Sequence, residues 1–262
     1  MLALYHNDMS LCAQKVRVCL AEKGLDWESR HLVLRSAEHQ QDWYLKLNRR
    51  AVVPTLMDDD KVIPESNVIL EYLDERFPSP PLTPMDPYGR ARMRLWTKQL
   101  DEDIHDQSAA IMSFGIAFRH QYLARGEAGK AMLEEIPNLF KRERRRDVIE
   151  HGTGSRHFIV AVKRMVLLLD EMEEALSAAP WLAGDYSLAD VAFTPYLARL
   201  EHLNVLSMVG ERRRVADWYE RAKARPSFHQ AIVKWENADY LKLMRERGSE
   251  AWPAVQAITL AH

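Results

Sequence analysis

Three short segments near the start of the chain carry residue types that can handle a thiol. Ser10 and Cys12 stand in Met9-Ser10-Leu11-Cys12, where a helical pattern opens. Backbone N–H groups at a helix start lack partners and the helix dipole is positive there, so a thiolate is stabilised. A Ser10 hydroxyl can donate a hydrogen bond to such a sulfur, and the thiolate is the nucleophile. Further on lies the extended X-Pro segment Val52-Val53-Pro54-Thr55-Leu56, followed by Pro64-Glu65-Ser66 before another helix. A nucleophile-type helix start, an extended backbone edge and an acid–hydroxyl pair can together surround one small peptide-like thiol. Each also has a plainer reading. Ser10 is a good helix cap, Cys12 a small half-buried helix residue, and Glu65-Ser66 an N-cap with an acidic neighbour. Cys19, on the same helix, reads as core.

The elements that must position these residues alternate in type over residues 1–77. Leu2 to Tyr5 reads as a strand and Leu11 to Lys23 as a helix stopped by Gly24. His31 to Leu34 reads as a second strand and Glu38 to Leu47 as a short helix. Val52–Met57 and Val62-Ile63 flank the polar turn Asp58-Asp59-Asp60 as an antiparallel hairpin, and Asn67–Arg76 is a helix. The order βαβαββα makes one α/β unit. Residues 78–87 are a linker, because four prolines fall within Phe77–Pro84. From 88 to 246 only helical patterns recur, at about 88–124, 127–150, 155–178, 188–205, 212–224 and 227–246. Residues 247–262 form an extension that either folds back over a pocket or stays mobile. Ser187-Leu188-Ala189-Asp190 reads as a capping box with Asp in the place of Glu, a folding device rather than chemistry.

Composition narrows the function classes. The formal net charge of −2 gives no global attraction to nucleic acid, and no apolar run is long enough to span a bilayer. The basic run Lys141–Arg146 has acidic neighbours, so it reads as helical charge pairs on a solvated face. Cys12 and Cys19 on one helix stand roughly 10 Å apart along its axis, too far for a disulfide. Two thiols and no basic-then-apolar leader point to the cytoplasm. A Cys-x-x-Cys oxidoreductase is disfavoured, since the helix opens Ser10-Leu11-Cys12-Ala13.

In order and spacing, these motifs, the proline linker and the capping box resemble the cytosolic glutathione transferases along nearly the whole chain. Met9–Cys12, Leu47–Pro54 and Val148–Gly152 are most similar to bacterial glutathione-dependent reductive dehalogenases of chlorinated hydroquinones. The β-aryl-ether-cleaving transferases of lignin-degrading bacteria are another near resemblance. The resemblance implies a thioredoxin-like first domain, an all-helical second domain and glutathione as co-substrate. It implies a cis bond before Pro54, with the backbone of Val53 pairing with the cysteinyl moiety of glutathione. It places the γ-glutamyl group at Glu65 and Ser66, and the glycyl carboxylate at His39, with Gln40, Lys46 and Arg50 as competitors. In the dehalogenases a cysteine at the place of Cys12 resolves a glutathionyl adduct.

A hydrophobic, aromatic electrophile is then expected against the long helix from Tyr88 on, where Ile111–Phe118 is apolar and His105 and Tyr122 are polar candidates. The resemblance implies a dimer, homo- or heterodimeric, with Asp101 or Asp103 reaching a partner's glutathione. The leading reading is a transferase that activates glutathione toward that electrophile, by conjugation, reductive dehalogenation or ether or thioether cleavage. The alternative class is a scaffold or heterodimer subunit that keeps the fold without turnover.

Overall fold

The computed structural model describes residues 1–136 and 138–261. By internal packing the chain forms two units. The first is Met1–Thr97 with Ala179–Pro195 and Trp218–Asn237; the second is Lys98–Ala178 with Tyr196–Asp217 and Ala238–His262.

In the first unit, strands β1 (Leu2–His6), β2 (Glu28–His31), β3 (Thr55–Asp58) and β4 (Lys61–Pro64) form one sheet in the order β2-β1-β3-β4. β1 and β2 are parallel, with His6 opposite His31. β3 runs antiparallel to both β1 and β4, with Thr55 opposite Tyr5 and Pro64. Strand β2 lies earlier than expected, because register with β1 selects the exposed stretch Glu28–His31. Leu32 instead turns inward beside Tyr44 and Val53. The helix expected over 38–47 is a 3₁₀ turn, Glu38–Gln40, and then α2 (Asp42–Leu45), since Gln41 between them is extended at ψ 148°.

Helix α1 (Leu11–Glu22) ends as a Schellman motif, with Leu25 N donating to Leu20 O and Gly24 N to Ala21 O while Gly24 takes φ +61°. It is buried on every side except at Cys12 and its last turn, under α3 (Ser66–Arg76) and α12 (Pro226–Ala231). Glu22 at its end accepts both forks of Arg225 at 2.6 Å, together with Ser227 and the Tyr186 hydroxyl. Burial alone would raise that carboxyl, but these donors outweigh it and hold Glu22 below the ordinary value.

The capping box precedes α10 (Leu188–His202). Asp190 accepts from Ser187 N at 3.0 Å as expected, while the Ser187 hydroxyl oxygen accepts from Ala189 N rather than from Asp190. Asp190 also accepts from Leu182 N and Trp218 Nε1, so one buried carboxylate fixes three backbone or ring donors.

The run expected over 88–124 is helical throughout, in pieces: α4 (Pro87–Gln99), a π-helical stretch Leu100–Ala109, α5 (Ala110–Ser113), a second π stretch Phe114–Phe118, and α6 (Arg119–Ala124). The pattern at 127–150 resolves into α7 (Glu127–Glu134) and α8 (Leu139–His151); Pro137, inside that span, lies outside the described residues. α9 (Arg156–Ala175) and α11 (Arg213–Lys223) follow their patterns, whereas 227–246 divides into α12, a 3₁₀ turn and α13 (Ala238–Leu260). The segment expected as an extension from 247 therefore continues α13, with Pro253 inside the helix; its last residue, His262, is outside the described set.

α13 passes so close to the end of α10 that a Cβ on Gly248 would lie 1.6 Å from Leu203 O. Backbone cannot yield as a side-chain tip can. Gly248→Ala should therefore destabilise by about 2 kcal/mol despite the roughly 1 kcal/mol gain in helix propensity. Thermal unfolding checks this, and a raised melting temperature would refute the close approach.

Candidate active site

The sheet register brings the candidate residues together. Ser10 follows the carboxyl end of β1, and His39 follows the carboxyl end of its parallel neighbour β2. Val53-Pro54 immediately precede β3, and Glu65-Ser66 immediately follow β4. Because β3 is antiparallel to both its neighbours, the Ser10, Val53-Pro54 and Glu65-Ser66 segments emerge at the same end of the sheet, the end from which the chain leaves β2 toward His39.

The β1–α1 corner is held from beneath. Arg17 is buried and donates to Asn7 O at 3.0 Å, Asp8 O at 2.7 Å and Ala231 O at 2.8 Å. Its NH1 also lies 3.0 Å from His6 Nδ1. Since a guanidinium only donates, Nδ1 accepts and His6 Nε2–H donates to Ser29 Oγ at 2.8 Å. Burial, with Arg17 and His31 adding to it, lowers the His6 pKa to about 3 and keeps the ring neutral. Asn7 Oδ1 and Asp8 Oδ1 both accept from Met9 N. Ser10 is thereby delivered as the N-cap of α1, its Oγ accepting from Ala13 N at 3.3 Å. The cap uses a lone pair, so the hydroxyl proton stays available to a sulfur. Cys12, one residue inside the helix, is half-buried and a thiol. Burial pushes the Cys19 thiol far upward, which leaves it inert core as the sequence indicates.

The Val53–Pro54 bond is cis. Its segment is pinned by Tyr44, whose hydroxyl donates to Val52 O at 2.7 Å and accepts from Thr55 Oγ1, and by Asn48 Nδ2 on the same two oxygens. The ladder ends at Thr55, so the backbone edge of Val53 lies beyond it. Glu65 takes φ +70°, a conformation that a non-glycine residue holds only at a cost, and caps α3 through its carbonyl, which accepts from Ile69 N. Its carboxylate accepts from Arg50 NH1 at 2.5 Å. Ser66, buried, opens α3. His39 is partly enclosed, its Nδ1 is buried with no partner among the described residues, and burial lowers its pKa.

The second-unit candidates are placed differently. Asp103 pairs with Arg164 at 2.9 Å, and His105 Nδ1 lies 3.1 Å from the Tyr196 hydroxyl. Tyr122 packs near Phe114, with ring centroids 5.8 Å apart.

Residues 4–81 match the family model for the glutathione S-transferase N-terminal domain, and residues 131–221 match that for the C-terminal domain. The chain is 32% identical over 240 residues to the tetrachloro-p-hydroquinone reductive dehalogenase of Sphingobium chlorophenolicum, covering 88% of this chain and 95% of the relative. The chain belongs to the glutathione S-transferase family. The transferase is also 31% identical over 261 residues to the protein LigF of Sphingobium sp. strain SYK-6, covering 94% of this chain and 98% of LigF. Among solved structures, the β-etherase LigF from that strain matches with a TM-score of 0.78 at 27% identity, over 89% of this chain and 99% of that one. Glutathione is the co-substrate of this transferase family.

Several residues of the transferase fit that tripeptide. The Glu65 carboxylate and the helix start at Ser66 carry the charge and donor types that suit its γ-glutamyl end. Sequence reasoning missed Gln14, which is fully buried one turn beyond Ser10 with neither amide atom partnered among the described residues. It also missed Arg17, and it placed Arg50 as a rival carboxylate ligand when its guanidinium pairs with Glu65. A buried polar residue leaves no periodic signal, so only packing reveals it.

Proposed function

We propose that this transferase lowers the pKa of the glutathione thiol at the start of α1 and directs the thiolate at a hydrophobic aromatic electrophile. The observation that carries the reading is the convergence of Ser10, Val53-Pro54 and Glu65-Ser66 at one end of the sheet. In this reading Ser10 Oγ–H donates to the sulfur, and the Val53 backbone pairs with the cysteinyl unit. Ser66 and Glu65 hold the γ-glutamyl carboxylate and ammonium, and His39 meets the glycyl carboxylate. The sulfur then forms a bond to carbon, and a halide or an aryloxide leaves with the electron pair.

Cys12 extends the chemistry. Its thiolate attacks the sulfur of a glutathionyl adduct, a disulfide forms between Cys12 and glutathione, and the departing carbon takes a proton. A second glutathione releases Cys12 as the oxidised dimer forms. Cys12→Ala should therefore spare conjugation and ether cleavage while glutathionyl product accumulates in place of reduced product. Product analysis on chlorinated hydroquinones and aryl ethers tests both branches. Turnover of neither class, with glutathione retained on the protein, would refute the aromatic electrophile.

A further inference from the structure

The run Lys141–Arg146 resolves into two kinds of residue. Lys141 reaches both oxygens of Asp106 at 2.8 and 3.0 Å, and Arg142 and Arg146 both reach Glu134. Arg145 is different. It is only 9% exposed, and its guanidinium carbon lies over the Phe114 ring, 3.3 Å from the centroid. Its Nε, like that of Arg144, is enclosed with no hydrogen-bond partner among the described residues. Asp106 is the nearby acid, but Lys141 already occupies its carboxylate. A buried cation lacking an acceptor is costly. Contact with the Phe114 ring offsets part of that cost.

Its surroundings are aromatic. Phe114 lies 5.5 Å from Phe118 and 5.8 Å from Tyr122, and Phe118 lies 6.1 Å from Tyr240. These rings are half-buried, and they lie along the second π-helical stretch and the helices beside it, a geometry often found at functional sites. We infer that Arg145 is a specificity residue that binds an oxyanion carried on an aromatic ring, a carboxylate or phenolate, with Phe114, Phe118 and Tyr122 against the ring. Burial lowers the Arg145 pKa only to about 10, so the fork stays charged at neutral pH. A guanidinium fork matches a planar carboxylate with two parallel hydrogen bonds and a phenolate with one or two. This inference deepens the aromatic-electrophile reading and rests on it.

The test uses the full-length protein and three probes: benzoate, 4-nitrophenolate and neutral benzamide. By titration calorimetry, benzoate or 4-nitrophenolate should bind at least about tenfold more tightly than benzamide. Whichever anion binds more tightly identifies the oxyanion. Arg145→Met should erase that preference and melt at the same temperature as the parent or higher, because an unpaired buried charge is gone. Equal binding of all three probes by the unaltered protein would overturn the assignment, even should the variant fail to fold. So would a variant that keeps the preference, or one that melts several degrees lower, which would assign Arg145 to supporting Phe114. Glutathione titration runs alongside: its failure in the unaltered protein would refute the thiol site and leave the benzoate comparison standing.

Discussion

Replacing Ser10 by alanine should lower glutathione-dependent turnover by about 10²–10³-fold while the protein remains folded. The hydroxyl has two roles of unequal weight. As N-cap it accepts from Ala13 N at 3.3 Å, a long contact whose loss costs about 1 kcal/mol of stability. As donor it stabilises charge on the sulfur, where a single preorganised hydrogen bond has far more leverage on rate. Kinetics with ultraviolet absorbance of the bound thiolate separates these roles. The apparent pKa of bound glutathione should rise in Ser10→Ala toward that of the free tripeptide. An unchanged pKa with a lowered melting temperature would return Ser10 to capping alone and move the chemistry to Cys12.

Asp190→Ala should destabilise by about 4 kcal/mol, a large share of the roughly 5–15 kcal/mol that a folded protein has. The change removes the one acceptor shared by Leu182 N, Ser187 N and Trp218 Nε1, all in buried surroundings. Asp190→Asn should cost less, since its carbonyl can keep Leu182 N and Trp218 Nε1 while its amide faces the Ser187 donor. The carboxyl also has a pH signature. Burial raises its pKa to about 6, and the donors only partly offset that rise. A raised pKa means stability that is full below the unfolded value and is lost as pH rises through about 6. Denaturant midpoints of the parent and Asp190→Asn, compared near pH 4 and near pH 7, should therefore converge toward the higher pH. A gap that widens instead would contradict a strained buried carboxylate.

What was legible in the chain was local. A capping serine before an apolar helix, a Val-Pro beside a strand and an acid–hydroxyl pair before another helix each announce themselves within a few residues. In the structure these three segments stand at the same end of the sheet. The sequence misled where pairing or burial decided the outcome. Leu32-Val33-Leu34 reads as a better strand than Glu28-Ser29-Arg30-His31, yet alignment with β1 selects the polar stretch. Gln14, Lys15 and Arg17 are polar residues of α1 that no periodic pattern marks as core, yet they are buried, because other elements of the first unit close over them. Arg145 is buried in a run whose Lys141, Arg142 and Arg146 pair with acids. Residues 247–262 read as an extension, whereas α13 continues through Pro253 to Leu260.

The most direct measurement is a crystal structure of the full-length protein soaked with glutathione. The account predicts the sulfur within hydrogen-bond distance of Ser10 Oγ at the first turn of α1, with the tripeptide backbone antiparallel to Val53 and its γ-glutamyl end at Glu65 and Ser66. A tripeptide bound elsewhere, or one whose sulfur turns away from both Ser10 and Cys12, would contradict it.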